Sequence, residues 1–215
     1  MKHPITAIIV MFLLTAIAQA DTIAVSRFTT DGLAGWERKS FKGETEYNLE
    51  REGADTVVRA RSSAAASGMI RKVRLDPLQY RYLRWKWKVA DPLVRNGAET
   101  SKAGDDYSAR VYVIFPGFFF WQMKAITYVW AGRLPKEESF PNPYTGNAMT
   151  VVVESGAEKA GTWISEQRDI LADYRRLFGG EPRKLGAIAI MTDTDNTGSV
   201  ATAWYGDIAI STLPQ

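Results

Sequence analysis

Tyr82-Leu83-Arg84-Trp85-Lys86-Trp87-Lys88-Val89 alternates apolar and polar side chains without a break. Successive side chains of an extended strand point to opposite faces. Leu83, Trp85, Trp87 and Val89 therefore share one face, and Tyr82, Arg84, Lys86 and Lys88 share the other. One face suits a core and the other suits water, the pattern of a sheet covered on one side. Residues 106–115 behave similarly. Ala109, Val111, Val113 and Phe115 fall on one face, with Asp106, Ser108, Arg110 and Tyr112 opposite.

Working outward, strands are expected at 45–50, 56–62, 67–75, 80–89, 107–115, 124–131, 149–154, 185–192 and 201–212. Between them stand turn signals such as Glu52-Gly53-Ala54-Asp55, Asp76-Pro77, Asp91-Pro92 and Lys102-Ala103-Gly104. Many short strands at this spacing predict a mainly β fold, an antiparallel β-sandwich of jelly-roll type. One flanking α-helix is expected from Trp163, Gln167, Ile170, Leu171, Tyr174, Leu177 and Phe178, with Thr162 as N-cap and Gly179, Gly180 and Pro182 ending it. Residues 132–147 hold three prolines and read as a long loop, of the length at which a function is suspected.

Residues 1–20 read as an export signal: Lys2, an apolar run over 5–17, and Ala18-Gln19-Ala20 as the cleavage pattern. Cleavage between Ala20 and Asp21 leaves one β-sandwich domain, 21–215, in the periplasm or secreted. No later stretch is long and apolar enough to span a membrane. The chain has no cysteine, and its one histidine, His3, lies in the signal. A mature chain without either residue excludes a Ser-His-Asp triad, a thiolate nucleophile, a disulfide and the usual zinc site. Loss of Lys2 lowers the net charge from +3 to +2. No Lys/Arg block resembles a nucleic-acid patch, so nucleic acid is not an expected partner.

What remains for function is oxygen and guanidinium chemistry, concentrated in two segments. The first is Asp193-Thr194-Asp195-Asn196-Thr197-Gly198. Asp193, Asp195 and Thr197 alternate as in the opening of a calcium loop, and Gly198 makes the bend. The bidentate glutamate expected at the twelfth position is absent, since Trp204 stands there. Calcium would need remote ligands such as Asp105, Asp106 or Asp207. A turn in which Asp and Asn bond their own backbone is the commoner source of such a pattern. The second segment is Gly104-Asp105-Asp106-Tyr107-Ser108-Ala109-Arg110. Adjacent carboxylates repel unless a cation or arginine sits beside them, and Asp106 and Arg110 share a strand face.

Three further features are weaker. Arg59 and Arg61 share a face of one strand, and Arg84, Lys86 and Lys88 a face of another. Neighbouring strands would make a positive surface; a sheet kept soluble by charge is the expected reading. The run Pro116-Gly117-Phe118-Phe119-Phe120-Trp121 is too apolar for a free loop. Core packing is expected, with an aromatic ligand platform as the alternative. Glu154 at a strand end, and Glu166 and Asp169 on the helix beside Arg168, are carboxylates of ordinary strand and helix type, none singled out as a general acid.

Trp85-Lys86-Trp87, the segment from Gly104 to Val113, Arg168-Asp169 with Asp173-Tyr174, and the segment from Met191 to Gly198 together resemble the DUF3047 family. The resemblance covers nearly all of the mature chain and implies an exported bacterial protein of unassigned function. The architecture is similar, more loosely, to jelly-roll carbohydrate-binding modules, through Phe28 with Gly35-Trp36 and through Tyr205-Gly206-Asp207-Ile208.

The leading expectation is an exported, non-catalytic sandwich that binds a glycan or cell-envelope saccharide. Asp105, Asp106, Tyr107, Arg110, Asp193, Asp195 and Asn196 are the expected ligand-binding residues. Asp193, Asp195 and Thr197 are the candidate calcium ligands, calcium being the one cofactor considered. One alternative is a polysaccharide hydrolase or lyase using paired carboxylates, or Tyr107 or Tyr112 with Arg110. Another is a structural envelope protein that contacts a protein partner through the aromatic run and the long loop. If the two acidic segments meet in space with Arg110, a site is expected; if they lie at opposite ends, both are turn chemistry.

Overall fold

The computed structural model describes residues 19–93 and 97–215. The expected signal, His3 included, lies outside the described residues except for Gln19 and Ala20. In chain order the strands are β1 (Thr22–Ala24), β2 (Trp36–Lys42), β3 (Glu46–Glu52), β4 (Asp55–Ser63), β5 (Ala66–Leu75), β6 (Tyr82–Val89) and β7 (Ala109–Phe115). They continue with β8 (Lys124–Ala131), β9 (Ser139–Asn142), β10 (Thr145–Ser155), β11 (Ile164–Asp169), β12 (Leu185–Asp193) and β13 (Val200–Ser211). One sheet runs β11-β6-β13-β4-β3, with β1 added to β13. The other runs β2-β5-β12-β7-β8-β10-β9. Two sheets packed face to face make the expected β-sandwich.

The alternation in β6 does what it predicts. Leu83, Trp85, Trp87 and Val89 are buried between the sheets, and Arg84, Lys86 and Lys88 look outward. From the facing sheet, β8 contributes Tyr128 and Trp130. Trp85 stacks on Tyr128 at 5.3 Å between centroids, and Trp87 lies 6.0 Å from Trp130. Such ring pairs add about 0.5–1.5 kcal/mol each beyond their area burial. In β7, Ala109, Val111, Val113 and Phe115 face the same core.

Among the described residues all strand pairs but one are antiparallel. β10 runs parallel to β8, because the chain leaves β8 and returns through the β9 hairpin before pairing with it. The expected 132–147 loop therefore contains β9 and the start of β10. Pro141 falls in β9, an edge strand, where its missing N–H costs no ladder bond.

The helix begins later than its apolar spacing implies. Residues 164–169 form β11 on the edge of the first sheet, paired with β6, and only Ile170–Phe178 are helical (α2). Thr162 is not the cap. The Asp169 side chain accepts from the N–H of Ala172 at 3.0 Å, and Gly179, at φ +70°, closes the C-terminus. Pairing with β6 overrides helical spacing there, since Ile164, Glu166 and Arg168 also satisfy a period of two. The buried Asp173 accepts from Tyr128, Arg168 and Arg176, tying α2 to both sheets. A single helical turn, α1 (Phe28–Asp31), precedes β2, with the N–H of Phe28 on Asp207 Oδ1 at 2.7 Å.

Two surface expectations resolve clearly. β4 and β6 are not neighbours, since β13 lies between them. Their cations face acids of the β3–β4 hairpin: Arg59 with Glu50, Lys86 with Asp55 and Lys88 with Glu52. The outer face is mixed in charge, as a soluble sheet requires. Three rings of the aromatic run between β7 and β8 do not pack in the core. Phe118, Phe119 and Trp121 are 75%, 55% and 57% exposed, because a tight turn directs them away from both sheets.

Candidate functional site

β7 and β12 are adjacent in the second sheet, with Met191 opposite Arg110. That pairing sets the 104–110 segment, at the entrance of β7, beside the 193–198 segment, at the exit of β12. The two segments converge on Arg110.

Arg110 is 2% exposed and fully engaged. Its Nε donates to Asp193 Oδ1 at 2.7 Å and its Nη2 to Asp193 Oδ2, a bidentate pair. Nη1 donates to Asp105 Oδ1 at 3.2 Å, and the guanidinium lies 4.6 Å from the Tyr107 ring centre. The N–H of Tyr107 donates to Asp193 Oδ1 at 3.2 Å, and its hydroxyl donates to the carbonyl of Glu99 at 2.9 Å. The Glu99 carboxylate accepts the N–H groups of Gly132 and Arg133, locking the 99–107 segment against the end of β8. Gly104 fits here because it lacks a side chain: a Cβ would stand 2.2 Å from the carbonyl oxygen of Ala98.

Asp106 does not pair with Arg110, although strand alternation places the two on one face. β7 begins only at Ala109, so the alternation does not extend back to Asp106. Asp106 is fully buried and accepts from the 193–198 segment instead. The N–H of Asn196 and its Nδ2 reach Oδ1 at 3.2 and 3.1 Å, and the N–H of Thr197 reaches Oδ2 at 2.6 Å. Asp106, Asp193 and Asp195 each place a carboxylate oxygen within 4.8 Å of the others. Of the remote ligands considered for calcium, Asp106 thus joins the group, Asp105 lies across Arg110, and Asp207 is bound to α1. Thr197 contributes its backbone N–H, while its hydroxyl accepts from Ser199 at 3.3 Å.

Asp105, Asp106 and Asp193 are each at most 4% exposed, and Arg110 pairs with Asp105 and Asp193 but not with Asp106. Carboxylates thus outnumber cations in a dry volume. The Asp193 carboxyl is pushed up to about 7, first by burial and then by Asp106 and Asp105, with Arg110 pulling it back. Burial opposes the charge on Arg110, but Asp193, Tyr112 and Asp105 outweigh it and hold the guanidinium well above its ordinary value. Arg110 stays charged, and any proton the cluster takes up goes to a carboxyl.

The cluster reaches the surface through Asp195 and Asn196. Lys42 Nζ lies 3.0 Å from the Asp195 carbonyl. The hydroxyl of Tyr144 donates to Asn196 Oδ1 at 2.8 Å while its ring stays 56% exposed. Asn142 Nδ2 donates to Asp105 Oδ2 at 3.2 Å. All seven expected binding residues thus come together, five of them as a buried frame. No sequence signal marks Glu99 or Lys42; Tyr144 and Asn142 lie in the proline-bearing segment whose length alone drew attention.

Carbohydrate-binding modules share this fold. The family 30 module of a cellulosomal cellulase of Clostridium thermocellum superposes with a TM-score of 0.50 at 11% identity, covering 90% of this chain and 99% of that one. The family 11 module of another cellulase from that organism gives 0.47 at 8% identity, over 91% and 95%. A family 29 module from Piromyces equi gives 0.44 at 7%, over 91% and 93%. At these identities the likeness is one of fold. No curated protein matches the sequence. Residues 34–209, which hold both acidic segments and Arg110, match the family described as "Protein of unknown function (DUF3047)", and the chain belongs to that family.

Proposed function

We propose that this is an exported, non-catalytic β-sandwich protein that binds a saccharide of the cell envelope at the surface of the acidic cluster. One observation carries the reading. Two acidic segments about ninety residues apart are fastened together and present Tyr144, Asn196 and Asp195 on one patch of surface. Sugar recognition needs an apolar ring beside fixed hydrogen-bonding groups for hydroxyls. The Tyr144 ring would stack on a pyranose face, and the Asn196 amide and Asp195 carboxylate would bond its hydroxyls. Asp105, Asp106, Tyr107, Arg110 and Asp193 act from beneath as positioning residues. Their burial, and the donors already on each carboxylate, favour a frame over proton transfer to a substrate. The family 30 carbohydrate-binding module that shares the fold bears the same kind of ligand in its name.

The export reading has local support. The N–H of Asp21 donates to Thr212 Oγ1 at 3.1 Å, Tyr80 donates to its carboxylate, and β1 begins one residue later. The sandwich therefore starts where cleavage would leave the new terminus. Mass spectrometry of protein from the periplasm should find Asp21 first.

The close group of Asp106, Asp193 and Asp195 favours a second element, a hard cation held by those carboxylates. It would offset the excess negative charge that otherwise draws a proton. Binding is tested by a glycan array with the mature chain, and by thermal shift with saccharides in the presence of calcium or a chelator. Absence of any saccharide that binds the wild type more tightly than Tyr144→Ala would reject the site.

A further inference from the structure

The acidic cluster sits at the start of β7; the turn after its far end carries a different surface. Phe118, Phe119, Trp121 and Met123 are 75%, 55%, 57% and 47% exposed within six residues. Their shape is fixed by polar anchors. Gln122 Oε1 accepts the N–H groups of Phe118 and Phe119 at 3.1 and 3.3 Å, and Asn147 Nδ2 donates to the Trp121 carbonyl at 2.7 Å. A Cβ at Gly117 would stand 2.3 Å from that of Gln122, so the tightness of the turn depends on glycine. The rings of Phe119 and Trp121 stack in parallel, 4.6 Å apart and 5° from coplanar. A chain that could bury these rings instead holds them outward, and contiguous exposed aromatics mark a contact surface.

Cations surround the turn. The Arg183 guanidinium lies 3.7 Å from the Phe118 ring centre, with Lys184 next in sequence, just before β12. Lys124 opens β8 opposite Phe115 and reaches over the rings of Tyr174 and Phe178. Among the described residues none of these three is ion-paired, and Glu181, also near this end, is taken by Arg175 at 2.9 Å.

We propose that the 118–123 turn is a membrane-docking tip that seats on an anionic phospholipid bilayer. Tryptophan and phenylalanine settle at the depth of the headgroups, while lysine and arginine hold phosphates at the same surface. A second copy fits less well, since a two-fold contact would bring like cations together. A sugar platform leaves the cations without a purpose. The tip lies at the other end of β7 from the proposed saccharide site and is independent of it.

The mature chain is sedimented with vesicles of phosphatidylcholine alone, or of phosphatidylcholine mixed with phosphatidylglycerol. Partition onto the anionic vesicles should exceed that onto neutral ones by about tenfold and fall as salt rises. Phe119→Ser with Trp121→Ser should weaken it roughly tenfold without changing Tm. Arg183→Glu with Lys184→Glu should abolish the preference for phosphatidylglycerol. Wild-type tryptophan emission should move to the blue on anionic vesicles, and Trp121→Phe should remove that shift while binding persists. Equal sedimentation with both vesicle types would overturn the proposal, as would wild-type binding by both double variants. A dimer that forms without vesicles and is lost in Phe119→Ser with Trp121→Ser would assign the tip to a second copy instead. Loss of saccharide binding in that variant would make it a sugar platform.

Discussion

Arg110 and Asp193, 83 residues apart in sequence, form a bidentate buried ion pair across the β7–β12 ladder, with Nε to Oδ1 at 2.7 Å. Asp105 and the Tyr107 ring complete the guanidinium's surroundings. This one side chain holds both acidic segments in place.

Removing it should therefore be severe. Arg110→Leu leaves Asp193 and Asp105 buried without their cation, a loss of about 3–5 kcal/mol. Urea denaturation at neutral pH should show a lower midpoint. The deficit should shrink in mild acid as the stranded Asp193 carboxyl protonates. A variant as stable as wild type would mean that the pair holds nothing together.

Stability should also depend on pH through Glu166, which lies opposite Trp85 on β11. Burial is the first cause that pushes its carboxyl up to about 7; Lys136 opposes it and Glu154 adds to it. An unfolded glutamate titrates at about 4.3. Between those values the folded chain keeps a proton the unfolded chain has lost, so this contribution is full below about pH 4.5 and falls as pH rises through 7. Glu166→Gln should leave stability nearly unchanged at about pH 5. At about pH 8 it should raise stability by about 1–2 kcal/mol, a figure discounted for the partial exposure of the group. Thermal denaturation at the two pH values checks this. Glu154 has the opposite sign. Lys159, the N–H of Ser155 and Lys136 outweigh its burial and hold it below the usual carboxylate range, so its contribution is lost as pH falls.

Calcium should raise the Tm of the mature chain, by about 2.7 kcal/mol of stabilisation at a hundredfold excess over Kd. The rise should be larger at about pH 8 than at pH 5.5, because the ion competes with the proton on Asp193. Asp106→Asn lowers Tm by itself, but the informative quantity is the calcium-dependent increment, which should vanish. An increment of wild-type size in that variant, or none in the wild type at millimolar calcium, would remove the ion from the account.

Tyr144→Ala should weaken saccharide binding roughly tenfold while leaving Tm within about one degree, since the ring is exposed. Tyr144→Phe keeps the ring and loses the hydroxyl on Asn196, so it should bind better than the alanine variant. Isothermal titration separates the two. Alanine and phenylalanine variants of equal affinity would argue against stacking.

Much of the fold was legible in short stretches. In β6 the period of two named the core face residue by residue, because the other face meets water; in β7 it named the core face too, although Arg110 on the opposite face is also buried. The same logic failed where two periods fit one stretch. Ile164, Glu166 and Arg168 suit a strand as well as a helix, and the free edge of β6 decided in favour of the strand. It failed again at Phe118–Trp121, where composition favoured burial and the Gln122 and Asn147 anchors hold the turn outward.

The sequence by itself determined the chemistry available, which is carboxylates, amides and one well-placed guanidinium without histidine or cysteine in the domain. It also determined which faces of the main strands are buried, since alternation is a property of neighbouring residues. Only the tertiary structure decided that Asp106, Arg110, Asp193 and Asn196 meet. That meeting depends on β7 and β12 being adjacent, and strand order is set by long-range packing that no local pattern records. The same packing left the carboxylates buried and Tyr144 exposed, and so divided the frame from the surface that a ligand can reach.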